Sequence, residues 1–159
     1  KAYFLHVGMN IEDKIKLFGD ISFQLKTGGQ LALYDIMRVG ERASEVLDYP
    51  VPWASSADMD FSCNASVYRD AAEAAGLTLV AEKNCFQNSL IFFDKMQAAR
   101  KKMAATGSAP PLSLAILMGE EFPLKMKNLE SNVRNQRCTP FEMVFEKIPA
   151  GMPGDASKI

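Results

Sequence analysis

The sequence is poor in the residues that bring metal and redox chemistry to a protein. Its 159 residues include one histidine, one tryptophan and three cysteines. The cysteines, Cys63, Cys85 and Cys138, are widely spaced and form no CxxC pair, so we expect neither a disulfide framework nor a bound metal. Scattered cysteines of this kind are typical of a reducing compartment, which predicts a cytoplasmic protein.

Long apolar runs and an excess of one charge are also missing. The longest apolar runs, such as residues 115–118, are far shorter than the roughly 20 residues that a membrane-spanning helix needs. The formal net charge of −1 gives no electrostatic reason to expect a nucleic acid or an anionic membrane as a partner. A hydrophobic content of 48% in 159 residues predicts one globular domain with a substantial core.

The amino-terminal stretch predicts a strand, a tight turn and a helix. Residues 2–7 form a short apolar run that ends at Gly8, and Asn10 then offers a side-chain oxygen to cap a helix. Apolar residues recur at helical spacing until the glycine pair at 28–29. Residues 30–36 are almost continuously apolar, as in a strand covered on both faces of a parallel sheet. This order predicts a right-handed crossover unit.

The rest of the chain predicts a second crossover, two more helices and a last strand. Asn64 begins a helix that leads into a strand over residues 77–83. The apolar residues expected on the inner face of this helix are Val67, Ala71 and Ala74. Helical patterns over residues 87–105 and 122–133 precede a strand over residues 139–148, whose alternation indicates burial of one face.

The segment over residues 37–63 lacks clear periodicity. Pro50 and Pro52 disfavour a helix at the residues before them and stiffen an extended stretch that ends at Trp53. We interpret this segment as a loop or lid with a short helix over residues 41–47.

Four segments stand in an order that is typical of one enzyme family. They read LHVGMNIEDK from Leu5, LKTGGQLALYDIMR from Leu25, YPVPWA from Tyr49 and YRDAAEAAGL from Tyr68. In these segments the chain resembles the class I S-adenosylmethionine-dependent methyltransferases. The closer likeness is to the small-molecule group that includes the sarcosine and dimethylglycine N-methyltransferases.

This resemblance implies an α/β fold with a Rossmann-like half-sheet of three parallel strands plus one antiparallel strand, and flanking helices. The family's glycine-rich cofactor loop precedes the matching segments, and the sequence contains no GxGxxG motif. Residues 1–148 are therefore expected to form the carboxy-terminal, acceptor-side part of a methyltransferase domain, and residues 149–159 a flexible tail.

The implied activity is methyl transfer from S-adenosylmethionine to the N, O or C atom of a small-molecule acceptor. The alternative is a catalytically silent interaction or dimerisation module derived from the same fold. The first strand would lack a neighbour on one side, and an unpaired edge invites another chain. We therefore expect a homo-oligomer or pairing with a missing amino-terminal half.

His6 is the candidate catalytic residue. It lies at the carboxyl end of the first predicted strand, where open α/β sheets bind their ligands. An imidazole with a pKa of about 6.5 can take a proton from the acceptor or hold the acceptor in line with the methyl group. Packing against a neighbouring strand is the alternative role. Leu5 and His6 are the candidate contacts to the cofactor that the resemblance implies.

The candidate substrate-binding residues are Tyr34, Asp35, Arg38 and Trp53. Tyr34 and Asp35 end the second predicted strand and are expected to face the same crevice, unless they serve as capping or backbone hydrogen-bond partners. Arg38 either steers a carboxylate or lies on the surface. Trp53 is either a core plug or an aromatic wall that can hold a cation or a flat ring.

Overall fold

The computed structural model describes residues 1–106 and 119–149. In chain order the strands are β1 (Ala2–Leu5), β2 (Gln30–Arg38), β3 (Leu77–Asn84) and β4 (Cys138–Lys147). The helices are α1 (Lys14–Gln24), α2 (Ala65–Ala74), α3 (Phe86–Thr106) and α4 (Phe122–Arg134). The tail predicted over residues 149–159 lies almost entirely outside the described residues.

The four strands form one sheet in the order β1-β2-β4-β3. β1 runs parallel to β2, whereas β4 lies between β2 and β3 and is antiparallel to both. The strands β1, β2 and β3 therefore run in one direction and β4 in the other. This confirms the predicted half-sheet of three parallel strands plus one antiparallel strand.

The side chains of β2 alternate between two faces of the sheet. On the first face, α1 and α2 cover a core that includes Leu31, Leu33 and Met37. On the second face, Ile36 packs in a smaller core with residues of α3 and α4. Ala32 on that second face is exposed, so β2 is covered on both sides only in its second half. The prediction of a strand covered on both faces is therefore only half right.

Phe18 is the centre of the first core. Its fully buried ring meets the rings of Phe4, Tyr68 and Phe145 edge-on, with centroid distances of 6.3, 5.9 and 5.7 Å. Edge-to-face packing adds a favourable quadrupole interaction to the burial of the rings. These contacts join α1 to α2 and to two strands of the sheet.

The first helix begins later than the sequence predicts. Asn10 ends a 3-10 turn (Gly8–Asn10), and its side chain donates to the carbonyl of His6 at 3.3 Å. The residue that caps α1 is Asp13, whose carboxylate accepts from the amide of Lys16 at 2.8 Å. The predicted cap at Asn10 is wrong because a second competent cap, three residues further on, begins the helix instead.

The buried stripe of α2 also differs from the prediction. Ala71 is buried as expected, but Val67 is 40% exposed and Ala74 is exposed. The stripe is centred on Tyr68, which is fully buried. Its hydroxyl is satisfied inside the core because it donates to the carboxylate of Asp35. In place of the helix predicted over residues 41–47, the structure has a short 3-10 turn (Glu41–Ser44).

We predict that replacing Phe18 by Ala lowers the free energy of unfolding by about 3–5 kcal/mol, because it empties a fully buried aromatic site. Phe23→Ala on the same helix is the matched control, since Phe23 is 83% exposed and its loss should cost less than about 0.5 kcal/mol. Urea denaturation measures both variants. Equal losses would contradict the assignment of the inner face of α1.

Candidate functional site

A cavity of about 560 Å³ lies between the second face of the sheet and the helices α3 and α4. Its walls are mainly apolar and aromatic, with Met9, Ile36, Trp53, Phe92, Phe93 and Val133 among them. Polar groups enter from the turn after β1, from β2 and from the first turn of α3: His6, Asn10, Tyr34, Asn88 and Ser89. The volume is within the range of small-molecule sites, about 300–1,000 Å³.

His6 is held at the mouth of this cavity by the end of β1. Its amide donates to the carbonyl of Tyr34 at 2.8 Å, and its ring meets the Tyr34 ring edge-on at a centroid distance of 5.2 Å. Its φ of +55° is in the left-handed region, which non-glycine residues seldom adopt. Such strain is found where the surrounding structure fixes a residue for function. The structure thus brings together two of the predicted site residues.

The environment of His6 favours the neutral imidazole. His6 remains accessible to solvent, but its partial desolvation beside the cavity lowers its pKa below the usual value of 6.5, and the charge of Asp35 offsets this only in part. The side chain is therefore uncharged at neutral pH and has a ring nitrogen that can accept a proton.

Asp35 lies away from the cavity, on the first face of the sheet. It is fully buried, accepts from the Tyr68 hydroxyl at 2.8 Å and from the amide of Ile36 at 3.2 Å, and burial raises its pKa. Gly8 packs so closely against Asp35 and the Tyr68 hydroxyl that a Cβ atom would clash with both. The structure therefore separates Asp35 from Tyr34, its neighbour in the sequence, and gives it a place beneath the turn that carries His6.

Arg38 is neither on the surface nor in the lining of the cavity. Its guanidinium faces Asp60 at 3.9 Å, with only 10% and 4% of the two side chains exposed. It also donates to the carbonyl of Ala43 at 3.0 Å and to that of Glu45. These partners occupy the donors that would bind a carboxylate ligand.

Asp60 is a buried carboxylate behind the cavity wall that the sequence did not reveal. Its carboxylate accepts from the Tyr49 hydroxyl at 2.7 Å, from the Trp53 indole at 2.9 Å and from the amide of Ser62 at 2.9 Å. Burial alone would raise the pKa of Asp60, but these hydrogen bonds hold it below its ordinary value. Asp60 thereby fixes Trp53 as a half-buried wall of the cavity.

No protein-family model and no curated protein matches the sequence. Among solved structures, a candidate sarcosine dimethylglycine methyltransferase from Galdieria sulphuraria matches 92% of this chain, with a TM-score of 0.65 and 18% identity. Geranyl diphosphate C-methyltransferase from Streptomyces coelicolor A3(2) also matches 92%, with a TM-score of 0.60 and 15% identity. The chain has the fold of S-adenosylmethionine-dependent methyltransferases. It spans 52% and 47% of the lengths of these two proteins.

Further matches show what this methyltransferase fold accommodates. Phosphoethanolamine N-methyltransferase 2 from Haemonchus contortus, solved with S-adenosyl-L-methionine, matches with a TM-score of 0.60 and 12% identity over 92% of this chain and 33% of its own. The cyclase SpnF matches with a TM-score of 0.56 and 12% identity over 92% of this chain and 49% of its own. The same fold therefore occurs in proteins named for methyl transfer and in one named for cyclisation.

The described residues contain neither a metal-binding group of side chains nor a helix that could span a membrane. Among them, no group of three His, Cys, Asp or Glu side chains could hold a metal ion. No helix in the described part of the chain combines the length and apolarity needed to cross a membrane.

We predict that Asp60→Asn lowers the free energy of unfolding by about 3 kcal/mol at pH 7, because Arg38 loses its buried counter-charge. The pKa of Asp60 is lowered on folding, so its contribution is present above the unfolded value, about 4, and is lost as the pH falls through the folded value. Urea titrations should show a smaller difference between the two proteins in acid than at pH 7. Asp70→Asn, at an exposed position of α2, should leave the unfolding transition unchanged. A difference that does not depend on pH would contradict the charged role of Asp60.

Proposed function

We propose that this chain forms the acceptor side of an S-adenosylmethionine-dependent methyltransferase that acts on a small molecule. One observation carries the proposal: a half-open, largely apolar cavity has a neutral histidine at its mouth, at the carboxyl end of β1. Open α/β sheets bind their ligands at this end of their strands. The fold shared with several methyltransferases supports the same conclusion.

The residues at this end of β1 fit the methyl-donating part of S-adenosylmethionine. Leu5 is 57% exposed and His6 is exposed beside it, so both side chains are available for contact. The sulfonium group of the cofactor is a cation, and the aromatic rings of Tyr34 and Trp53 offer faces that attract one. When bound, the cofactor supplies an electrophilic methyl group. We propose that the half of the neighbouring folds that this chain does not match holds the adenosine part.

His6 is proposed to act as the general base. As the nucleophilic atom of the acceptor bonds to the methyl carbon and the sulfonium carbon–sulfur bond breaks to leave a thioether, the neutral imidazole would take the proton from that atom. Tyr34 fixes the orientation of that ring by its edge-on contact, and Trp53 excludes water from the acceptor. Holding the reacting groups in line contributes strongly to such a transfer, and the base adds about 100-fold to 10,000-fold.

A partner-binding module is the second candidate function. Within the described sheet, β1 pairs with β2 alone, and its side chains Tyr3 and Leu5 are 78% and 57% exposed. An exposed apolar edge of this kind can pair with a second chain. This candidate requires no cofactor.

We predict that S-adenosylhomocysteine binds the purified chain measurably but weakly, because the adenosine part is proposed to be held outside this chain. Isothermal titration calorimetry measures this directly, and the exposed surface at Leu5 and His6 gives the physical reason. Adenosine serves as the control ligand, because it lacks the sulfur-bearing end and should bind more weakly. A chain that takes up neither ligand and forms a concentration-dependent dimer would favour the partner-binding module.

We predict that His6→Gln, measured in a protein that also contains the cofactor-binding half, lowers turnover by about 100-fold or more and weakens the binding of S-adenosylhomocysteine much less. Since the pKa of His6 lies below 6.5, turnover of the unmodified enzyme should be level above that pH and should fall as the pH drops through the lowered pKa. The variant should lack this acidic limb. Turnover that is unchanged in the variant would leave His6 with a packing role.

A further inference from the structure

The described residues that line the cavity carry no formal charge at pH 7. Among the described residues that form it, none is Lys, Arg, Asp or Glu, and its single titratable base, His6, is neutral at pH 7. The neighbouring folds belong to proteins named for charged compounds: sarcosine and dimethylglycine, geranyl diphosphate, and phosphoethanolamine. This chain therefore shares their fold but lacks, in the part described, a charged partner for such a ligand.

Two arginines on elements that line the cavity are already paired. Arg38 is paired with Asp60 at 3.9 Å inside the protein. Arg134, which follows the lining residue Val133 on α4, contacts Asp94 at 2.5 Å and Glu130 at 2.9 Å. Recruiting either arginine to a phosphate or carboxylate would break these pairs, and for Arg38 it would leave a buried carboxylate without its counter-charge.

Two of the polar groups that line the cavity, Ser89 and His6, can accept a hydrogen bond from a donor group on the ligand. Ser89 is 7% exposed, and its hydroxyl already donates to the carbonyl of Cys85 at 3.0 Å. Its remaining capacity is to accept a hydrogen bond. The neutral imidazole of His6 also has one ring nitrogen that accepts. A hydroxyl or neutral amine on an otherwise apolar molecule meets both requirements.

We propose that the methyl acceptor is an uncharged, largely apolar molecule with one hydroxyl or neutral amine group, and that acceptors carrying a carboxylate, a phosphate or an ammonium group bind poorly. This inference rests on the proposed function, because it takes the ligand of the cavity to be the methyl acceptor. Its physical reason is the cost of moving a charge from water into a cavity that offers it no partner. The aromatic and aliphatic walls gain free energy from an apolar body in the same cavity.

Trp53 gives a direct readout of binding, because it is the only tryptophan of the chain and lies in the cavity wall. The test uses three probes that share one ten-carbon chain and differ in charge: geraniol, geranylamine and geranyl diphosphate. Each is titrated into the purified chain without cofactor, and Trp53 emission is recorded. We expect geraniol to bind about tenfold or more tightly than either charged probe.

A charge introduced at the mouth should shift this preference. Asn88 lies on α3, is exposed and lines the cavity, so Asn88→Arg should fold normally and tighten the binding of geranyl diphosphate about tenfold. Gln87→Arg is the matched control, since Gln87 is an exposed neighbour that does not line this cavity. It should leave all three affinities within about twofold of their original values.

The outcomes separate this inference from the proposed function. Equal or tighter binding of a charged probe, or no Trp53 response to any of the three, would overturn the neutral-acceptor class even if S-adenosylhomocysteine binds. A preference for geraniol in a chain that does not bind S-adenosylhomocysteine would uphold the ligand class and contradict the proposed cofactor contacts at Leu5 and His6. Equal effects of the two arginine variants would overturn the assignment of this cavity as the binding site.

Discussion

The insertion of β4 between β2 and β3 is the constraint on which the rest of the structure depends. Within the described sheet β3 has no other partner, so this strand joins the sheet only through β4. The register that pairs Leu33 with Met143 and Leu31 with Phe145 places the apolar side chains of both strands on the same face. The same register pairs Ile36 with Pro140, and both line the cavity. One strand thus completes the core on one side and the floor of the site on the other.

The core and the site are also linked through the turn after β1. Asp35 and Tyr68 pack against Gly8 from the first face of the sheet, and this contact leaves no room for a side chain at that position. His6, two residues earlier, is held with a positive φ and its ring against Tyr34. Asp35 is therefore unavailable to a ligand, but through Gly8 it supports the turn that carries His6. A polar group in the core can serve a site that it does not touch.

The sequence predicted those parts of the structure in which apolar residues recur at a regular spacing. Strand, helix and strand recur in the predicted order. Pro123 lies in the first turn of α4, where its fixed φ is compatible with a helix. His6 and Trp53 were identified because each is the single residue of its type and follows a recognisable element. The grouping of Tyr34 with Asp35 ignored the alternation of a strand, which sends adjacent side chains to opposite faces. That distinction was open to sequence reasoning.

Other features could not be read from the sequence, for physical reasons. The pairing of Arg38 with Asp60 depends on the path of an aperiodic segment, and neither residue has a spacing that would show it. Asn10 and Asp13 are both competent helix caps, and the choice between them depends on the packing of the turn at Gly8. In both cases tertiary contacts decide between local alternatives of similar energy.

The lowered pKa of His6 and the uncharged lining of the cavity have a common origin. The buried charged side chains bind other groups of the protein and do not reach the cavity. Arg38 and Asp60 satisfy each other, and Lys14 donates to the carbonyls of Ile11 and Phe61 instead of reaching a ligand. The cavity is left with aromatic and aliphatic walls, which desolvate the imidazole and keep it neutral. The same walls penalise a charged acceptor and favour an apolar one. In the proposed reaction, such walls would keep both the imidazole and the acceptor uncharged, so that the acceptor's proton can move to the imidazole as the bond to the methyl carbon forms.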